Sequence, residues 1–136
     1  MKNPRRVLAL AAGLFVSLAI RAAEPVVTTQ FVVEDLKTHN LTRVTSAHMD
    51  EYVCIRVSGL LTPDGDHSFQ LTIYDGLGRE TFSTRSTITA ENLQWGKRAC
   101  FGFNTLRDAP GTWWYVGELD GDPLFSESIV ILPARQ

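Results

Sequence analysis

Hydrophobic and polar positions alternate along most of this chain with a period of two, the signature of strands that bury one face. The cleanest instance is "SFQLTIYD" at 68–75. Phe69, Leu71 and Ile73 fall on one side, and Ser68, Gln70, Thr72 and Tyr74 on the other. Further short runs rich in Val, Ile, Thr, Phe and Trp cover 26–34, 51–61, 79–88, 98–104, the tryptophan segment after Gly111, and 124–132. The stretch 36–50 is weakly patterned and predicts only a strand near Leu41–Val44. Clusters of Gly, Pro and Asp punctuate these runs: "TPDGDH" at 62–67, "GLG" at 76–78, "TLRDAPG" at 105–111 and "DGDP" at 120–123. Residues 89–97 read as a loop or a single helical turn. No helical period extends over more than about nine residues. Seven or eight short strands at this spacing predict an all-β, antiparallel sandwich.

The first residues follow a different rule. Lys2, Arg5 and Arg6 precede an apolar run from Val7 to Ile20, and the small residues Ala22 and Ala23 follow, just before Glu24-Pro25. That is the layout of a secretory signal peptide, cleaved after Ala22 or Ala23. A bilayer-spanning helix needs ~20 apolar residues, and Arg21 ends this run early. The expected domains are therefore a leader, 1–23, and one sandwich, 24–136, located in the periplasm or outside the cell with no stable membrane anchor.

Loss of the leader removes four of 13 basic residues and none of the 15 acidic ones. Nine cations against 15 anions leave a net charge of −6, which disfavours nucleic acid and anionic membrane as partners. The two cysteines, Cys54 and Cys100, form an even set in an exported chain and read as a disulfide. Closing a loop of that length stabilises by ~4 kcal/mol on the chain-entropy account. A redox pair normally keeps its cysteines close, as in C-x-x-C.

A many-stranded sandwich with one long-range cysteine pair resembles an immunoglobulin-type domain, and "ITAENLQ" is similar to the segment ahead of the second cysteine there. The resemblance implies that Cys54 and Cys100 join the two sheets. Two positions depart from it. Arg98 rather than tyrosine stands two residues before Cys100, and no tryptophan follows Cys54 before Trp95.

Candidate chemistry is sparse. His39, His48 and His67 show neither H-x-H nor H-x-x-x-H spacing, so no metal site is expected. Asp64-Gly65-Asp66 and Asp120-Gly121-Asp122 resemble fragments of calcium loops but lack the twelve-residue oxygen pattern. No G-x-S-x-G exists, and with both cysteines bridged no thiol nucleophile remains. No cofactor and no catalytic residue is assigned. A hydrolase built from the 36–50 and 89–97 loops is the one enzymatic alternative.

The most informative stretch is "GTWWYVGELDG", 111–121. Neighbours on a strand point to opposite faces, so Trp113 and Trp114 cannot share one core. With Gly121-Asp122 at the hairpin tip, Trp113 faces Val130 and Trp114 faces Ile129. Trp114, Val116, Phe125, Ile129 and Ile131 then share one face, opposite Trp113, Tyr115, Leu119, Leu124 and Val130. Val53, Ile55 and Val57 likewise lie opposite Cys54, and Ala99, Phe101 and Phe103 opposite Cys100. Strands apolar on both sides predict a covered outer face, supplied by the chain itself or by a partner. The expected function is an exported, non-catalytic accessory protein that recognises another protein through Trp114, Val116, Phe125, Ile129 and Trp95. The alternatives are a carbohydrate-binding module, with sugars stacked on Trp114 or Trp95, and an inhibitor- or immunity-type protein.

Overall fold

The computed structural model describes residues 26–60 and 62–136; the expected leader lies outside them. Among the described residues nine strands follow one another without a helix: β1 (Val26–Glu34), β2 (Leu41–Arg43), β3 (Ser46–His48), β4 (Tyr52–Leu60), β5 (Gly65–Tyr74), β6 (Glu80–Ala90), β7 (Gln94–Gly102), β8 (Gly111–Leu119) and β9 (Asp122–Leu132). They form a four-stranded sheet, β2-β1-β4-β7, and a five-stranded sheet, β3-β9-β8-β5-β6. The expected sandwich is present. The weakly patterned 36–50 stretch supplies two strands of three residues each, and β3 lies parallel to β9 while every other pairing is antiparallel.

Period-two alternation builds the core. Phe69, Leu71 and Ile73 of β5 meet Val53, Ile55 and Val57 of β4 in one buried cluster. Aromatic side chains bridge the two sheets: Phe31 meets Tyr115 edge-on at 5.0 Å, and Trp113 packs against Phe101 at 5.9 Å and Phe103 at 4.8 Å. Burying an aromatic or aliphatic side chain of this size contributes ~1.5–3 kcal/mol. The Trp113 indole N–H donates to the Ala109 carbonyl at 2.7 Å, so its one polar atom is satisfied.

Four sequence expectations need correction. Residues 89–97 hold no helical turn: β6 and β7 form a tight hairpin in which Asn92 and Leu93 both take positive φ, 54° and 62°, while Glu91 and Gln94 exchange backbone hydrogen bonds. That is the twist a two-residue hairpin requires. The disulfide does not join the sheets. Cys54 and Cys100 stand directly opposite each other on the neighbouring strands β4 and β7, with Cα atoms 3.9 Å apart. Val53, Ile55 and Val57 point inward, so Cys54 lies on the outer side of its sheet, beside buried Val32.

The β8–β9 register is also one residue away from expectation. The tip is Asp120-Gly121, again with two positive φ values, so Leu119 pairs with Asp122. A bulge at Gly117/Glu118 then sets Trp113 opposite Ile129 and Gly117 opposite Phe125. A slip of one residue exchanges faces. Phe125, Ile129 and Ile131 accordingly enter the core with Trp113 and Tyr115, not the outer face with Trp114.

Finally, Trp95 is buried. It pairs across strands with Gly59, where a methyl group would run into the indole ring; Gly117 accepts the Phe125 ring in the same way. These two glycines are sockets for aromatic side chains.

Candidate functional site

Five residues were expected on a binding face. Trp114 and Val116 occupy the outer face of the five-stranded sheet, whereas Phe125, Ile129 and Trp95 are core. The face that remains is much more polar than the sequence implied. One row across it runs Ser128, Trp114, Tyr74, with Trp114 45 % exposed. The next runs Ser126, Val116, Thr72, Ser83, and Gln70 lies between Glu118 and Arg85 beyond it.

The polar groups are interlinked. Arg85 Nη2 donates to Gln70 Oε1 at 3.0 Å, Gln70 Nε2 donates to Ser83 Oγ at 3.3 Å, and the Thr72 and Ser83 hydroxyls lie 3.3 Å apart. Such links fix donors and acceptors in place before any ligand arrives. The face ends in a depression of about 410 Å³ lined by Ser68, Gln70, Arg85, Glu118, Asp120 and Gly121. Trp114 and Glu118 are four strand residues apart, ~13 Å at the usual rise. An aromatic platform, a hydroxyl row and a polar depression thus follow one another along β8.

A small apolar strip borders the platform. Val130 of β9 is 44 % exposed and Leu132 is 38 % exposed, both beside the short β3 edge.

Groups of catalytic type are engaged elsewhere. Each histidine makes its own local contact: His39 with Glu34, His48 with the Pro133 carbonyl, and His67 with Asp120 and the Pro63 carbonyl. His67 Nδ1 and Nε2 both lie 2.6 Å from oxygens that can only accept, an arrangement that favours the doubly protonated ring. The Asp120 carboxylate, then the Pro63 carbonyl, hold its pKa above the ordinary value. Its partner Asp120 is held below the usual carboxylate range, by His67 first and by the Ser68 N–H second. This pair ties the start of β5 to the β8–β9 turn, and the Pro63 contact adds the loop after β4.

Two buried carboxylates shape loops. Burial opposes ionisation of Asp75, but the Arg79 guanidinium and the N–H groups of Arg79 and Leu77 outweigh it and lower the pKa. Asp108 is governed likewise: burial is offset by Arg107, the Asn104 N–H and the Thr81 hydroxyl. Both organise the ends of β5, β6 and β8. Among the described residues, the one cluster of metal-ligating residue types is Glu34 with Cys54 and Cys100, and those two sulfurs are bonded to each other. No described helix is long and apolar enough to cross a membrane.

No family model matches the sequence, and no curated protein does. Among solved structures the chain is similar to a β-glucosidase from Listeria innocua crystallised in complex with glucose, at 10% identity and a TM-score of 0.48. The match covers 79% of this chain and 16% of that one, so the chain spans about a sixth of the enzyme's length.

Proposed function

We propose that this protein is an exported, non-catalytic binding module that takes a glycan on the outer face of its five-stranded sheet. The carrying observation is Trp114: a large ring, 45 % exposed, set beside Tyr74 and bordered by the Ser128, Thr72 and Ser126 hydroxyls. A sugar ring presents an apolar C–H face to an aromatic platform and a rim of hydroxyls to neighbouring donors and acceptors. The inward turn of Phe125 and Ile129 supports this reading over a protein hot spot, which draws on a desolvated apolar cluster. The disulfide supports export, because such bridges persist in oxidising compartments. The structural engagement of the histidines, Asp75 and Asp108 supports a non-catalytic role.

The test is a titration of intrinsic fluorescence with neutral oligosaccharides. Trp113 and Trp95 are buried, so the emission change reports on Trp114. A saturable shift that disappears in a normally folded Trp114→Ala variant is the expected result. Unchanged glycan affinity in that variant rejects the proposal.

A second reading, recognition of another protein, is favoured by the Val130 and Leu132 strip beside Trp114. Val130→Ser with Leu132→Ser separates the two: it abolishes partner capture but leaves glycan titration intact if proteins bind there.

A further inference from the structure

We propose that the outer face of the other sheet carries a second site, selective for the sulfate or carboxylate groups of an acidic polysaccharide. It rests on different residues from the Trp114 face and does not depend on that reading.

The observation is a concentration of positive charge in an acidic protein. Nine cations belong to the chain beyond residue 23. Arg79, Arg107 and Arg135 are ion-paired with Asp75, Asp108 and Asp50, and Arg85 bonds Gln70. Four of the remaining five, Arg43, Arg56, Lys97 and Arg98, line one open groove of about 520 Å³ that no carboxylate lines. Among the described residues the side chains of these four make no ion pair or hydrogen bond, in contrast to the four arginines just named. The carboxylate of this face, Glu34, sits beyond the disulfide beside His39.

The arginines are also forced together. Arg56 and Arg98 stand directly opposite each other on β4 and β7, two residues from the Cys54–Cys100 pair. Like charges at opposed strand positions are destabilising. The disulfide fixes the register that imposes this cost. Two guanidinium forks rising from one row present neighbouring donors to an oxyanion, and Arg is the side chain suited to bidentate contact with such groups.

The surroundings favour a sugar chain over other polyanions. Thr28, Thr29, Gln30 and Ser58 line the same groove and offer hydroxyl and amide groups. The groove has no aromatic side chain on which a base could stack. An added peptide strand would pair along the β7 edge, whereas the Arg43, Arg56 and Arg98 side chains stand off the face, in register with the outward cysteines. Gly96 opens the floor: a Cβ there would meet only the Val57 carbonyl, at 3.7 Å, and no left-handed φ demands glycine.

Binding of dextran sulfate and polygalacturonate, with unmodified dextran as the neutral control, tests this by affinity electrophoresis and calorimetry at two salt concentrations. The expected result is binding of an acidic polymer but not dextran, weakening with salt. Arg56→Gln and Arg98→Gln should each lower affinity about tenfold or more, as loss of a charge-assisted contact does. Both remove a like-charge pair, so folding should be preserved. Gly96→Val should weaken binding without altering charge, and Trp114→Ala should leave it intact. Failure of both acidic polymers to bind, equal affinity for poly-glutamate or DNA, or affinity unchanged in R56Q/R98Q overturns the proposal. A protein that binds acidic polymers but no neutral glycan would reject only the Trp114 reading.

Discussion

The two faces of the five-stranded sheet are built from the same strands by the same alternation, yet they differ in what their side chains achieve. On the inner face Trp113, Tyr115, Phe69, Leu71 and Ile129 are almost wholly removed from water. One residue away, Trp114, Thr72, Tyr74 and Ser128 form a surface in which a tryptophan remains half open and hydroxyls surround it. Buried area drives folding; the exposed ring adds little to stability and is free to meet a ligand. Identical residue types on one strand therefore separate into a buried core ring and an exposed ring, the one on which the proposed glycan site rests.

The largest effect should come from Trp113→Ala, which removes a fully buried ring in contact with Phe101 and Phe103 and should cost ~3–5 kcal/mol in denaturant unfolding. Trp114→Ala, its immediate neighbour, should change stability by no more than ~0.5 kcal/mol while abolishing the ligand-induced fluorescence shift. Equal losses from the two would erase the distinction between the faces. Gly117→Ala comes next, at ~1–3 kcal/mol, because its methyl group would displace the Phe125 ring from its socket.

The rim of the inner face supplies a pH test. The folded pKa of His67 lies above 6.5, so its stabilising share is complete below that value and is lost as pH rises through the raised pKa. The folded pKa of Asp120 lies below 3.8, so its share is present above that value and lost as pH falls through the lowered one. The melting temperature should therefore fall between mildly acidic and alkaline pH, and His67→Gln should flatten that part of the profile. An effect of the opposite sign is expected from Tyr115→Phe. The Tyr115 hydroxyl is buried without a partner, and burial pushes its pKa far upward. Removing it should be neutral or stabilising by up to ~1 kcal/mol, whereas a clear loss of stability would show that the hydroxyl does have a partner.

Much of the fold was legible from the residues alone. The alternation at 68–75 gave β5 and its inner face, and turn residues marked most strand boundaries. Neighbour opposition placed one of the adjacent tryptophans in the core and the other outside it. The candidate site was less legible. Trp114 and Val116 were placed outside, but Phe125 and Ile129 went with them because the hairpin tip was set at Gly121-Asp122 instead of Asp120-Gly121. The local pattern around Trp95 reads as loop, because no local signal shows that Gly59, 36 residues earlier, leaves room for its ring. The arginine groove has no local signature for a similar reason, since Arg43, Arg56 and Arg98 lie on three different strands.

Sequence by itself determined what depends on neighbours along the chain: the strand period, the turns, the even cysteine pair and the acidic balance. Tertiary structure decided what depends on pairing between distant segments. Register placed the disulfide within one sheet and turned Phe125 and Ile129 inward. It also set Arg56 against Arg98 and left Trp114 among hydroxyls. A one-residue shift of register reverses every side chain on a strand, and the hydrophobic pattern alone does not encode which partner residue stands opposite.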